Sequence, residues 1–396
     1  MSAFDVQTVP DDIECTEQVF DVDFHPIRNF LAAGLIDGEV DIFQYGLQDS
    51  NKLMAKLNHH TSSCRGVAFS PSGDALYTIS SDMSLVAVDA VGSVVLNIPN
   101  AHDSPLNKMV VCEEHIVATG DDKGCVKLWD LRIRNATNCI KTWKMHEDFV
   151  SGMCYNAANS TLLSVSGDCT LCAYDIRSQK VCTRSDEQEC ELTCVDVIKN
   201  GRKVVCGTQD GTMLIFSMGL WGDCTDRIPD EHPETIESFT KLDERTLITG
   251  CSDGVIRVMQ IHPNRVTNQV GDHDGFPVEG IKRHGGLLCT YSLDDILHFW
   301  DVSLLLSEAT ASADEDMADE DTDMETAVDG RFPSARAARG KHIAEEEEED
   351  SDSSEDEEDS EEEDDDDAMA EDSDDSDEDA QAVKLPTASE KFYADL

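Results

Sequence analysis

Ser, His and Asp recur together in this chain in groups a hydrolase would use: His146 with Ser166 and Asp168, and His273 with Ser292 and Asp294. A histidine within reach of both a hydroxyl and a carboxylate can activate the hydroxyl as a nucleophile, while the carboxylate holds the imidazole in the productive tautomer. The recurrence itself argues against that chemistry. His60, His102, His146, His232 and His273 each precede an aromatic or apolar residue by about 27 or 28 positions, as a repeating unit requires and a single reaction centre does not. No GxxxxGKS/T phosphate loop, HExxH helix or Rossmann glycine pattern is present, so the expectation is a non-catalytic chain without a cofactor.

The fifteen cysteines raise metal or disulfide chemistry in the same way. They show no framework spacing and are scattered through predicted strands, where a cysteine behaves as a small apolar residue. Cys169/Cys172 and Cys190/Cys194 are the pairs nearest to metal-ligand spacing. Cys169 and Cys172 are predicted on one strand, where odd spacing points side chains to opposite faces, so no metal is expected.

The elements that must carry these residues follow from the repeat, a unit of about 41 to 45 residues seen seven times. Each copy ends in a β-branched or alternating run closing at Phe43, Val88, Trp129, Tyr174, Phe216, Met259 or Trp300. Asp follows directly at Asp130, Asp175 and Asp301, giving a Trp-Asp dipeptide or a near version of it. Tight-turn signals stand upstream, clearest at Asp37-Gly38, Asp210-Gly211 and Asp253-Gly254, and alternating strands such as VFDVDF at 19–24 precede them. One four-stranded sheet cannot bury both faces, but radial stacking of seven buries them all. The fold expected is therefore all-β, a seven-bladed propeller over residues 1 to about 306. The seventh repeat runs out of strand after Asp301, so residues before 19 are expected to supply its missing outer strand.

Composition bounds the rest. No basic, apolar leader or membrane-length apolar run is seen, so a soluble intracellular protein is expected. The formal net charge is −53, of which about 32 lies beyond Ser307. Such a field disfavours strong direct binding to nucleic acid and favours basic protein partners.

The segments ATGDDKGCVKLWDLR (118–132), CGTQDGTMLIF (206–216) with WGDCTDRI (221–228), CSDGVIRVMQIHPNRV (251–266), FHPIRNFLAAGLIDGEVDIF (24–43) and VGDHDGFPVEGI (270–281) resemble the WD repeat-containing protein 55 family across all seven repeats. In WD-repeat families a His, a Ser or Thr, an Asp and a Trp form a hydrogen-bonded set. The resemblance implies such a set at His273, Ser292, Asp294 and Trp300, with His146, Ser166 and Asp168 in the fourth repeat and Trp129 in the third. Lys123 stands at the usual Asp position, Cys251 at a Ser/Thr position and Thr16 at a His position, so blades one, three and six are expected to be held less tightly. The resemblance further implies a nucleolar or nuclear place, with some presence in the cytoplasm, and a scaffold role in rRNA production and large-subunit assembly. Partners would be basic ribosomal or pre-60S factors.

Two further readings compete. Trp129-Asp130-Leu131-Arg132 and Tyr174-Asp175-Ile176-Arg177 resemble the tandem motif by which propellers bind a cullin-4 ubiquitin ligase adaptor, through Arg132 and Arg177. An acidic tail alone also suits a histone chaperone. His262-Pro263-Asn264-Arg265 reads as a blade-edge turn from which Arg265 contacts a partner.

Residues 307–396 are too charged and too poor in apolar groups to offset the entropy of ordering, and a disordered tail is expected. Ser353, Ser354, Ser360 and Ser376 each have an acidic residue three positions later, the pattern an acidophilic kinase accepts. Arg331, Arg336, Arg339 and Lys341 form a weak import-type basic island. The terminal SEKFYADL offers Phe392, Tyr393 and Leu396 as an apolar docking element on a long tether.

Overall fold

Strand-forming runs separated by turn residues organise into seven antiparallel four-stranded sheets. The computed structural model describes residues 9–46, 50–132, 138–178 and 182–307. The tail residues singled out above, Ser353, Ser354, Ser360, Ser376, Phe392, Tyr393, Leu396 and the basic island, lie outside the described residues.

The first strands of the blades, Val19–Phe24, Cys64–Phe69, Leu106–Glu113, Val150–Asn156, Leu192–Ile198, Ile236–Lys241 and Gly280–His284, pack each against the next, and the last against the first. That succession closes a ring and makes the chain a seven-bladed β-propeller. Burial peaks in the middle strands, whose near-continuous apolar runs dictate it, and falls off in the first and outer strands. Second strands such as Phe30–Leu35 and Thr161–Ser166 are buried along their whole length, while the outer strand Cys139–Lys144 is half exposed in alternation.

Two devices hold neighbouring blades together. Apolar residues of adjacent sheets interleave, as where Phe30, Val40 and Leu57 meet Cys64, Val67 and Leu76. Near the axis, side chains of one blade, most of them on its first strand, bond the backbone of a neighbouring first strand. Val67 N donates to Asp21 (3.0 Å), Phe69 N to Asp23 (2.8 Å), and Asn107 Nδ2 to the Val150 carbonyl (2.8 Å). Ser151 donates to the Leu192 carbonyl, Thr193 to that of Ile236, and Tyr291 to that of Phe20, which returns the belt to blade one. Close approach needs a missing side chain at Gly120, where a Cβ would fall 2.7 Å from Val150 of the next blade.

The seventh sheet takes its outer strand from the other end of the chain. Ile13–Glu14 lies antiparallel to Ile296–Asp301, with Ile13 opposite Leu297 and Glu14 opposite Ile296. Ile13 is buried among Leu297, Phe299, Leu31 and Phe43, so this short strand also packs between blades seven and one.

Candidate functional site

In an antiparallel four-stranded blade the turns joining strands one to two and three to four lie at one end. The two-to-three turn and the link to the next blade lie at the other. The ring therefore has two annular faces. All the repeat histidines lie in links and define a histidine face; Arg132, Arg177 and Arg265 follow third strands and lie on the opposite, arginine face.

On the histidine face every repeat imidazole bonds the second strand through Nε2, and those of blades two, three and four also bond the turn after it through Nδ1. In blade three His102 Nε2 lies 2.8 Å from Thr119 Oγ1, Nδ1 lies 2.9 Å from Asp121 Oδ2, and Trp129 Nε1 donates to Thr119 Oγ1 at 2.8 Å. In blade two His60 Nε2 is 2.8 Å from Thr78 Oγ1, and Nδ1 is 2.8 Å from Ser84 Oγ and 3.4 Å from Asp82. In blade four His146 Nε2 is 2.7 Å from Ser164 Oγ, Nδ1 is 3.1 Å from Asp168, and the Tyr174 hydroxyl is 3.0 Å from Ser164. In blade seven His273 Nε2 is 2.7 Å from Thr290 Oγ1, which accepts from Trp300 Nε1 at 2.8 Å.

These distances correct the assignment of the hydroxyls. The partner is Ser164, not Ser166, and Thr290, not Ser292. Period two puts both members of each pair on one strand face, but the ring reaches one pleat deeper than the turn-proximal residue. Ser166 Oγ instead donates to the Asp148 carbonyl and accepts from Asp168 N, while Ser292 Oγ is buried with no hydrogen-bond partner. Cys251 is likewise not a replacement, because Thr249 Oγ1 stands 2.9 Å from His232 Nε2. Trp129 donates to the hydroxyl that faces His102, and in blade four the Tyr174 hydroxyl takes that place against Ser164.

The expected weakness of blade three is also corrected. Lys123 does stand at the usual Asp register, but Asp121, two residues earlier on the same face, supplies the carboxylate. Asp121 Oδ1 also accepts from Lys123 N and Cys125 N, both at 2.9 Å, so it caps the turn as well. Blade six is loosely held for another reason: Asp253 is taken by Arg257, whose Nη1 lies 2.9 Å away, leaving His232 Nδ1 without a partner. In blade one Thr16 contacts Lys56 Nζ at 3.3 Å, and Lys56 also meets Glu39 at 3.1 Å. Blade five has no histidine: the buried Gln188 occupies the link and donates to the Asp186 carbonyl at 2.9 Å.

Electrostatics separate these networks. Burial opposes protonation of His146, but the hydrogen bond and charge of Asp168, with Cys172 beside it, outweigh burial and hold the imidazole up at about 9. Burial pushes His232 down to about 4, helped by the Arg257 charge. Burial also lowers His102, against the pull of Asp121. Asp82 is partly buried, yet hydrogen bonds from Ser84 and Thr61 bring it down to about 2. Every hydroxyl that faces a repeat imidazole is buried, so none is presented to a substrate.

The pair Cys169/Cys172 is divided between a turn and a strand. Cys169 is not on a strand: it sits in the turn at φ 62°, and Cys172 lies within Leu171–Asp175. Desolvation raises the thiols of Cys64, Cys125 and Cys251, consistent with inert core residues.

On the arginine face, Arg132 is well exposed and forms a bidentate pair with Asp130, Nε–Oδ1 2.9 Å and Nη2–Oδ2 2.6 Å. Arg177 is exposed, its backbone N bonded to Asp175 at 2.9 Å. Arg265 is exposed at the start of Arg265–Asp272, beyond a turn in which Asn264 accepts from His262 N (3.0 Å) and donates to Asp226 (3.1 Å). The two faces differ in charge. The histidine face exposes Asp103, Glu147, Glu187, Asp230, Glu234 and Asp272, while the arginine face mixes exposed Arg132, Arg177, Arg202 and Arg265 with exposed Asp74, Glu113 and Asp223.

Comparison with known proteins agrees with this architecture. The WDR55 family model matches residues 10–305. WD repeat-containing protein 55 of Arabidopsis thaliana is 40% identical over 298 residues, covering 72% of this chain and 83% of that protein. The Homo sapiens protein of the same name is 35% identical over 304 residues, covering 76% and 78%. WD repeat-containing protein JIP5 of Coprinopsis cinerea is 35% identical over 318 residues, covering 77% of each. A match that spans all seven blades and similar relatives in plants, animals and fungi place the chain in the WD repeat-containing protein 55 family.

Proposed function

We propose that this WD-repeat scaffold is a non-catalytic assembly platform of the nucleolus, acting in rRNA production and large ribosomal subunit biogenesis by holding basic ribosomal or pre-60S factors. The observation that carries the reading is the row of exposed carboxylates on the histidine face. A carboxylate-rich annulus attracts and orients cationic proteins over about a Debye length, roughly 8 Å at physiological ionic strength, and repels the phosphates of free nucleic acid. Family membership supports the ribosomal setting. The test is affinity purification of the tagged full chain at low and raised salt, with imaging of the same tag. Pre-60S factors released by salt and a nucleolar signal are expected; their absence at low salt overturns the reading.

Arg132 and Arg177 favour one second reading, as a substrate receptor docked on a cullin-4 ligase adaptor. They are exposed at the same end of adjacent blades. Arg132→Ala with Arg177→Ala would then abolish adaptor capture without moving the melt by more than about 1 kcal/mol, because exposed pairs contribute little to stability. Failure of the unaltered protein to capture the adaptor removes this reading. The histone-chaperone alternative rests on the tail, outside the described residues.

A further inference from the structure

Blade seven departs from its siblings at one register position. Opposite Thr290 across the hairpin stands His298, where blades two, three, four and six have Val86, Lys127, Cys172 and Arg257. His298 meets His273 edge-on, with ring centroids 4.6 Å apart. Asp294 Oδ2 lies 3.5 Å from His273 Nδ1 and 3.4 Å from His298 Nε2. Its other oxygen accepts from Ile296 N at 3.2 Å and so belongs to the turn. The three ligand atoms lie within 4.8 Å of one another.

As hydrogen bonds these contacts are poor. His273 is only 2% exposed, and its Nδ1 has no hydrogen-bond partner, whereas the equivalent nitrogen of His102 sits 2.9 Å from its carboxylate. As edges of a coordination polyhedron they fit. Zinc bonds of about 2.0–2.2 Å to imidazole and carboxylate, at tetrahedral angles, separate ligand atoms by about 3.3–3.5 Å. The outer contacts fit too. Nδ1 of His298 lies 2.9 Å from Asp12 Oδ2, the carboxylate–histidine arrangement that fixes the tautomer and turns Nε2 into a lone-pair donor. Thr290 Oγ1, beside His273 Nε2, does the same for the second ring.

We infer that His273, Asp294 and His298 form a binding site for a divalent transition-metal ion of the zinc class, with Asp12 as the positioning carboxylate. His298 and Asp294 are partly exposed, which leaves the remaining position to water and makes the ion exchangeable. The ligands come from the link, the turn and the third strand. Asp12 comes from the segment that leads into the closing strand, and its Oδ1 accepts from Phe299 N at 3.2 Å. The ion therefore ties the start of the chain to its last blade and strengthens closure of the ring.

The test uses the full-length protein stripped with chelator, then titrated with Co(II) and Zn(II). With fifteen cysteines present, ligand chemistry has to be read as well as stoichiometry. One equivalent of Co(II) should give ligand-field bands without a near-ultraviolet thiolate charge-transfer band, and Zn(II) should raise the melting temperature. His298→Val, a residue tolerated at this register in blade two, should lower the affinity at least a hundredfold and cancel the melting shift. Asp12→Asn keeps all three ligands and should weaken binding about tenfold, a readout that survives if the first variant does not fold. The inference is overturned if binding is thiolate in character only, if both variants bind as the parent does, or if Zn(II) leaves the melt of the parent unchanged.

Discussion

Asp121 Oδ2 lies 2.9 Å from His102 Nδ1, although the register that supplies the carboxylate in blades two and four is filled in blade three by Lys123. The same strand face offers a residue every second position, so a network broken at one register is rebuilt at the next. In blades two, three and four the result is the same, a buried imidazole with both nitrogens occupied, and different local sequences achieve it.

Thr290 and Ser292 should respond oppositely to loss of their hydroxyls. Thr290→Val strands the partly buried Trp300 nitrogen and the buried His273 nitrogen and should cost about 1–3 kcal/mol. Ser292→Ala removes a buried hydroxyl with no partner and should be neutral or stabilising. Urea unfolding monitored by tryptophan fluorescence compares them, and equal losses would contradict the network as described.

The His146–Asp168 pair predicts an alkaline limb of instability. The folded-state pKa of His146, about 9, lies above the unfolded value of about 6.5. Its contribution is complete below pH 6.5 and is lost as pH rises through 9, amounting to about 3 kcal/mol at most. Asp168→Asn should remove that pH dependence along with the stability, which unfolding at pH 6 and pH 9.5 measures.

His232 acts with the opposite sign. Its folded value of about 4 lies below the unfolded one, so the unfolded chain takes up the proton first as pH falls from 6.5 to 4. Stability drains across that window, by up to about 3 kcal/mol. In His232→Gln the acid-side slope should be shallower, and an unaltered slope would show that the imidazole titrates freely.

Closure of the ring depends on Ile13. Ile13→Ala should cost about 2 kcal/mol or more through reduced burial and a residual void, seen as a melting temperature lower by several degrees. Deleting residues 1–18 should lower it further, because it also exposes the edge of Ile296–Asp301.

If the acidic tract at 345–379 recruits basic clients, its removal should weaken their recovery and flatten the salt dependence of binding. Phe392→Ala with Tyr393→Ala should reduce association while leaving salt dependence intact, since these two side chains would bind through apolar surface. Normal recovery with both lesions would confine function to the propeller.

The repeat, the blade number and the positions of the strands are legible in the sequence because period-two patterning and turn residues act locally. Network membership is less so. Ser164 and Ser166 are both small, buried and on one face, and only the depth reached by His146 decides between them. Asp121 escapes a register counted from the turn, yet its signal is present: a carboxylate two residues upstream, on the same face. Gln188 in blade five and the meeting of His298 with Asp12 leave no local mark, since one is a substitution of unrelated type and the other joins opposite ends of the chain.

That last pairing sets a timetable for synthesis. Ile13 emerges from the ribosome long before Leu297, which faces it. At roughly 5–20 residues per second the closing strand waits on the order of tens of seconds without a partner, while six blades form beside it. Through that interval Ile13–Glu14 is unpaired and the apolar face of blade one around Leu31 and Phe43 is uncovered, so the vulnerable species in the cell is the open chain rather than the closed ring. Protection from chaperones, and any ion that shortens the wait once Asp294 and His298 emerge, acts on the yield of this protein before it acts on its stability.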